Sequence, residues 1–165
     1  DVCSSDLQKE WLAELTARRK LPDYRADAVV PDTKLQGWNY IEDSCDINSL
    51  MDYFGGFHDS VIREIHYESG DYMEGGTMYL SPSCAKKLRM VFDSSWANSI
   101  EIVFESVRLL RLVPPGENYL GDLFNASIFI DNLEVYFYDE YLKERPKSHD
   151  GTWVKALGMR WRVIV

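Results

Sequence analysis

Two of the three histidines in this 165-residue chain stand near each other, His58 beside Asp59 and His66 a short way on. Two imidazoles and a carboxylate could hold a divalent metal for hydrolysis, or His58 could act as a general base oriented by Asp59. Neighbouring side chains on extended backbone point to opposite faces, which works against His58 and Asp59 converging on one atom. The plainer role is conformational: Asp59 or Ser60 turns or caps the backbone, with His58 hydrogen-bonded nearby. If the pair does more than fold the chain, His58 and Asp59 are expected to line a small polar pocket at a sheet edge.

Other constellations are thinner. Cys45, His58, His66 and Cys84 supply zinc-ligand types, but their spacing matches no finger or ribbon. No GxSxG, Walker loop or dinucleotide fingerprint occurs, and Gly75-Gly76 by itself is turn chemistry. Asn125-Ala126-Ser127 fits a glycosylation sequon, and His149-Asp150-Gly151-Thr152 reads as a turn into a final strand. Carboxylates are plentiful (Glu64, Glu68, Glu101, Glu105, Glu134, Asp139 and Glu140 among them), yet no spacing selects an acid/base pair. They are expected to form cross-strand ion pairs with Lys87, Arg89, Arg160 and Arg162 on a solvated sheet face. A more specific expectation concerns Tyr136 and Tyr138. Exposed beside Glu134 and Asp139, they would build a protein-binding surface, since Tyr is enriched at interface hot spots and acid complements a basic partner.

The elements that must position these residues follow from periodicity. Ser5-Asp6-Leu7-Gln8 has capping-box spacing, and Leu7, Trp11, Leu12 and Leu15 share a face, so a helix is predicted over 6–18. The Arg18-Arg19-Lys20 triplet suits its C-terminus. Residues 22–45 read as a long surface loop with a short strand at 37–41. A second helix is predicted from an Asp46 N-cap to Phe54, stopped by Gly55-Gly56 in the left-handed conformation. Period-two patterns then predict about seven strands. The first places Phe57, Val61 and Ile65 on the core. Others lie at 77–80, 87–92 and 100–104, the last followed by a parity slip near Ser106 that needs a bulge or a passage to another sheet. Ala126–Ile130 and Leu133–Phe137 form a hairpin about an Asp131-Asn132 turn, residues 139–151 a charged loop, and Met159–Val165 the closing strand. Strands follow helices without β-α-β alternation, so the predicted class is α+β with a mainly antiparallel twisted sheet preceded by two helices. The length predicts a single domain over 1–165, divided into the N-terminal helix and loop (1–45) and a helix-plus-sheet core (46–165).

Composition bounds function. The formal charge of −9 argues against a nucleic-acid backbone as main partner. The acid is unevenly spread: residues 1–60 carry 12 acidic and 6 basic side chains, whereas residues 143–165 carry 6 basic and 2 acidic ones. Three scattered cysteines without a CxxC fit a reducing compartment. No apolar run approaches the roughly 20 residues of a membrane span, and no signal-like segment opens the chain, so a cytoplasmic location without membrane attachment is expected.

The motif Gly56-Phe57-His58-Asp59-Ser60, its Val61–Tyr67 strand, Ile100–Phe104, Leu109–Val113 and the closing Asp150-Gly151-Thr152 with Arg160-Trp161-Arg162 together resemble a family of small, uncharacterised bacterial proteins. The likeness covers residues 54–165. The Phe-His-Asp-Ser start is also similar to that of immunity-type proteins of bacterial polymorphic toxin systems, which neutralise a toxin by binding it. The resemblance supplies no catalytic residue. The expectation is therefore a non-enzymatic protein-binding module, such as an immunity-type inhibitor of a basic toxin, with no cofactor or metal. Its binding residues would be His58, Asp59, Glu134, Tyr136, Tyr138 and Asp139. A metal-dependent hydrolase using His58, Asp59 and His66, and a self-associating structural module that forms homo-oligomers, are the alternatives.

Overall fold

A computed structural model describes residues 34–116 and 121–164, all within one unit, Lys34–Val165. The predicted helix over 6–18 lies outside the described residues. The described chain is mostly antiparallel sheet with one α-helix, in more and shorter strands than the seven expected.

Strand β1 (Asn39–Tyr40) leads into helix α1 (Ser44–Tyr53). The helix begins earlier than an Asp46 cap would allow, because Asp43 and Asp46 form a reciprocal capping box. Asp43 accepts from the backbone N–H groups of Cys45 and Asp46, at 2.7 and 3.0 Å, while Asp46 accepts from the Asp43 N–H at 3.2 Å. Ile47, Leu50, Met51 and Phe54 recur at helical spacing and pack on the core. Gly55, at φ +60°, ends the helix as expected.

A six-stranded sheet follows, in the order β1-β12-β6-β5-β2-β8, with β2 Ser60–Glu68, β5 Lys87–Ser94, β6 Ile100–Glu105, β8 Asp122–Leu123 and β12 Gly158–Val163. A four-stranded sheet runs β7-β11-β10-β9, from Leu109–Arg111, Trp153–Ala156, Glu134–Tyr138 and Ser127–Asp131. Strands β3 (Tyr72–Glu74) and β4 (Thr77–Tyr79) form a separate two-stranded hairpin.

The inner faces of the two large sheets meet in one hydrophobic core. Leu88, Met90, Phe92, Ile100, Ile102 and Phe104 alternate inward from the larger sheet, as their period of two requires. Phe137 of the smaller sheet packs against Phe92, Phe104 and Phe57 at ring separations of 5.7, 6.1 and 5.7 Å. The chain passes between the two large sheets four times, from β6 to β7, β7 to β8, β8 to β9 and β11 to β12. At Ser106, which sits at φ +53°, it leaves β6 for β7, so the parity slip is a change of sheet. At Leu157 it passes from β11 to β12, so the closing segment is two strands.

Strand β2 departs from its expected facing. Its register with β5 shifts between Ile62 and Glu64, a bulge that reverses side-chain parity. Ile62 and Ile65 consequently pack on the core, and Val61 is exposed. In the β9–β10 hairpin the left-handed residues are Asn132 (φ +51°) and Leu133 (φ +65°), one position later than the expected Asp131-Asn132 turn.

Candidate functional site

The Phe-His-Asp-Ser motif is a folding device in this structure. Phe57 is fully buried. Ser60 is buried too, and its hydroxyl donates to the Phe57 carbonyl at 2.7 Å, closing a turn in which Phe57 and Asp59 both take positive φ. His58 and Asp59 lie about half exposed, 3.1 Å apart, and do not line the acidic cavity described below. His66 is exposed on β2 and faces Glu68 at 3.2 Å. Among the described residues, no three His, Cys, Asp or Glu side chains gather in a way that could hold a metal ion. Neither the His58, Asp59 and His66 set nor the mixed set with Cys45 and Cys84 is therefore assembled.

Tyr136 and Tyr138 do project from the outer face of the smaller sheet, but they are not exposed. The loop over 139–151 folds back across that face. Arg145 stacks over the Tyr136 ring at 4.6 Å and bonds Asp131 at 2.7 Å, while the Tyr136 hydroxyl donates to Glu134 at 2.7 Å. Lys155 closes this network by pairing with Glu134 at 2.8 Å. The hydrogen bonds from Lys155 and Tyr136 hold the Glu134 carboxyl below its ordinary range, and burial pushes the Tyr136 hydroxyl up. Tyr138 is stacked on Trp153, with the His149 ring against its edge at 5.2 Å, and burial raises its hydroxyl as well. Three of the expected contact residues (Glu134, Tyr136 and Tyr138) thus spend their polar groups or their faces inside the protein. The period-two pattern identifies the outer face; it carries no sign of the loop that covers it.

The fourth, Asp139, leads to a different site. Antiparallel pairing of β10 with β11 sets Tyr138 opposite Trp153, so the two ends of the 139–151 loop must meet. There the Asp139 N–H donates to the Thr152 carbonyl at 3.1 Å, and the Thr152 N–H returns a bond to Asp139 Oδ2 at 2.7 Å. The other carboxylate oxygen lies 2.9 Å from His149 Nε2, and both side chains are more than nine-tenths buried. The second ring nitrogen of His149 faces Glu140 at 3.7 Å. Gly151 is required for this contact, because a Cβ there would run into both Asp139 and His149.

This buried pair forms one wall of the largest cavity among those described, about 1010 Å³. Among the described residues it is lined by 113–116 after β7, 122–125 at β8, and the two ends of the 139–151 loop. The Thr152 hydroxyl fixes the first of these by accepting from the Val113 N–H at 3.0 Å, and β8 is fixed by pairing with the start of β2. The described wall carries four carboxylates (Asp122, Asp139, Glu140 and Asp150) and no Lys or Arg. Asp150 is paired from outside by Arg111 at 3.3 Å. One oxygen of Asp122 is buried without a hydrogen-bond partner. Phe124 and Tyr141, both well exposed, add aromatic surface. A hollow of this makeup favours a cationic group, through carboxylates in a partly desolvated setting and aromatic faces beside them. Sequence reasoning reached Asp139 and missed His149, Asp122, Phe124 and Tyr141. The available signal was the strand pairing that brings Asp139 to Thr152, and with it the His149-Asp150-Gly151 turn.

No family model, curated protein or solved structure matches this chain. No helix among the described residues is long and apolar enough to cross a membrane.

Proposed function

We propose that the protein is a non-enzymatic binding module for a basic protein partner, and that it receives a cationic side chain of that partner in the acid-walled cavity. One observation carries this reading: the cavity of about 1010 Å³ whose described wall holds four carboxylates and no Lys or Arg, with Asp150 alone paired by an arginine, Arg111, from outside. The net charge of −9 adds long-range attraction for such a partner. An immunity-type inhibitor that occludes a basic toxin is the specific form of this role, and the resemblance of the Phe57–Ser60 motif favours it.

Calorimetric titration with a tetra-arginine peptide tests the cavity. The intact protein should bind it, with affinity falling as salt rises, and the Asp122→Asn/Glu140→Gln variant should bind at least about tenfold more weakly. Equal binding by that variant would remove the cavity from the account. Protection of cells against a toxin encoded beside this gene tests the immunity role; loss of protection in the same variant is the expected result.

A further inference from the structure

The β3–β4 hairpin shows a different kind of surface. Gly75 and Gly76, at φ +55° and +79°, make its two-residue turn, which suits the right-handed twist of the flanking strands. On one face Tyr72 and Tyr79 stack almost parallel, 4.7 Å apart with an interplanar angle of 8°. On the other face Met73 and Met78 sit directly opposite each other, 63% and 65% exposed. Leu80, just beyond β4, is 75% exposed. None of these five side chains belongs to the core cluster. At the base of the hairpin, Asp71 accepts from the Ser81 N–H at 2.7 Å, tying the two strand ends together.

The hairpin is therefore held by its turn, its tyrosine stack and its base, and the methionine pair contributes to none of these. Two large apolar side chains left in water on a pre-shaped support add little to the fold and keep their apolar area available for burial against a partner. Unbranched, polarizable methionines suit a surface that must adapt to another chain, and a pre-formed hairpin lowers the entropy lost on binding. Charge sets the sign of the partner. Between Arg63 and Lys86 the chain has no Lys or Arg, while Glu68, Asp71 and Glu74 flank the hairpin. Glu74, at the tip, makes no ion pair with a described residue.

We infer that the β3–β4 hairpin is a docking arm for a protein segment that alternates apolar side chains with Lys or Arg, held by Met73 and Met78 and flanked by Glu68, Asp71 and Glu74. The arm is separate from the acid-walled cavity. β2 pairs with cavity-wall segment β8 at its first residues, and the hairpin follows its last, roughly 25–30 Å away along nine residues of strand. The two surfaces can thus be tested apart.

The probe is an 18-residue amphipathic Leu/Lys peptide, titrated into protein carrying 13C-methyl methionine, with a Leu/Glu peptide of the same pattern as control. The Met73 and Met78 methyl signals should shift with the Leu/Lys peptide, and those of the buried Met90 and Met159 should not. The Leu/Glu peptide and the Met73→Ser/Met78→Ser variant should each lower affinity by about tenfold or more. Glu74→Lys should weaken binding at the arm severalfold, while Asp122→Asn/Glu140→Gln leaves the affinity read from the Met73 and Met78 methyl signals unchanged. Equal affinity for both peptides, or shifts confined to other methyls, would overturn the inference. So would preferential binding of the arm to phosphatidylglycerol vesicles, or self-association through Met73 and Met78 in the absence of peptide. Loss of peptide binding only in the cavity variant would defeat the arm and leave the cavity reading standing.

Discussion

Leu133 occupies a position that the fold would give to glycine. The second left-handed residue of a two-residue hairpin turn costs an L side chain about 1 kcal/mol, and Leu133 is 87% exposed, so burial returns little. Leu133→Gly is expected to stabilise the protein by about 0.5–1 kcal/mol, read as a higher urea midpoint at unchanged slope. Gly151 is the reverse case. Its backbone is outside the left-handed region, and what it lacks is room for a Cβ beside Asp139 and His149. Gly151→Ala should cost about 1–3 kcal/mol by overpacking and displace the His149 ring signals from their native positions. Gly116→Ala, on the same cavity wall with no described residue near its Cβ, should stay within about 0.5 kcal/mol of the parent. At this scale the sequence conveyed the turn at Asp59-Ser60, because Ser and Asp bond their own backbone in few ways. It did not convey which carboxylate would be buried, since that depends on contacts far along the chain.

Among the elements, β6 carries an unusual burden on its outer face. Glu101 is buried there, yet it accepts from Arg89 of β5 and, at 2.6 Å, from Arg162 of β12. Trp38 stacks over Arg160 and Arg162 at 4.7 and 4.5 Å, and Arg160 pairs with Glu105. Burial pushes the Glu101 carboxyl up, but the two arginine hydrogen bonds outweigh it and leave the group below the usual carboxylate range. A carboxyl held lower in the folded state than in the unfolded chain stabilises above the unfolded value and loses that contribution as pH falls through the folded one. The protein should therefore lose stability from about pH 5 downward. Glu101→Gln, which leaves two arginines facing a neutral amide, should cost about 1–3 kcal/mol at pH 7 and flatten that acid limb; urea melts between pH 7 and 3 measure both. The cross-strand pairing of Arg89, Arg160 and Arg162 with Glu101 and Glu105 was legible from their alternation. The expectation of a solvated face fails for Glu101. The strands at 87–94 and 100–105 were equally legible, having clean alternation, whereas β2 was misfaced at Val61 because a one-residue bulge leaves no mark in composition.

For the whole molecule, an antiparallel fold with an early helix followed from the order of periodic segments. Two sheets in place of one did not, because the changes of sheet at Ser106 and Leu157 turn on single residues within apolar runs. The cavity follows from that architecture: loops leaving β7, β8 and β10 converge and bring Asp122, Glu140 and His149 together from distant parts of the chain. Its acid wall is the basis for assigning a basic partner. The most direct measurement is a backbone and side-chain chemical-shift map of the protein at saturating tetra-arginine peptide. The largest changes should fall on Asp122, Phe124, Glu140 and Tyr141; changes centred on other carboxylates, with this set unmoved, would rule out the cavity as the site of a basic partner.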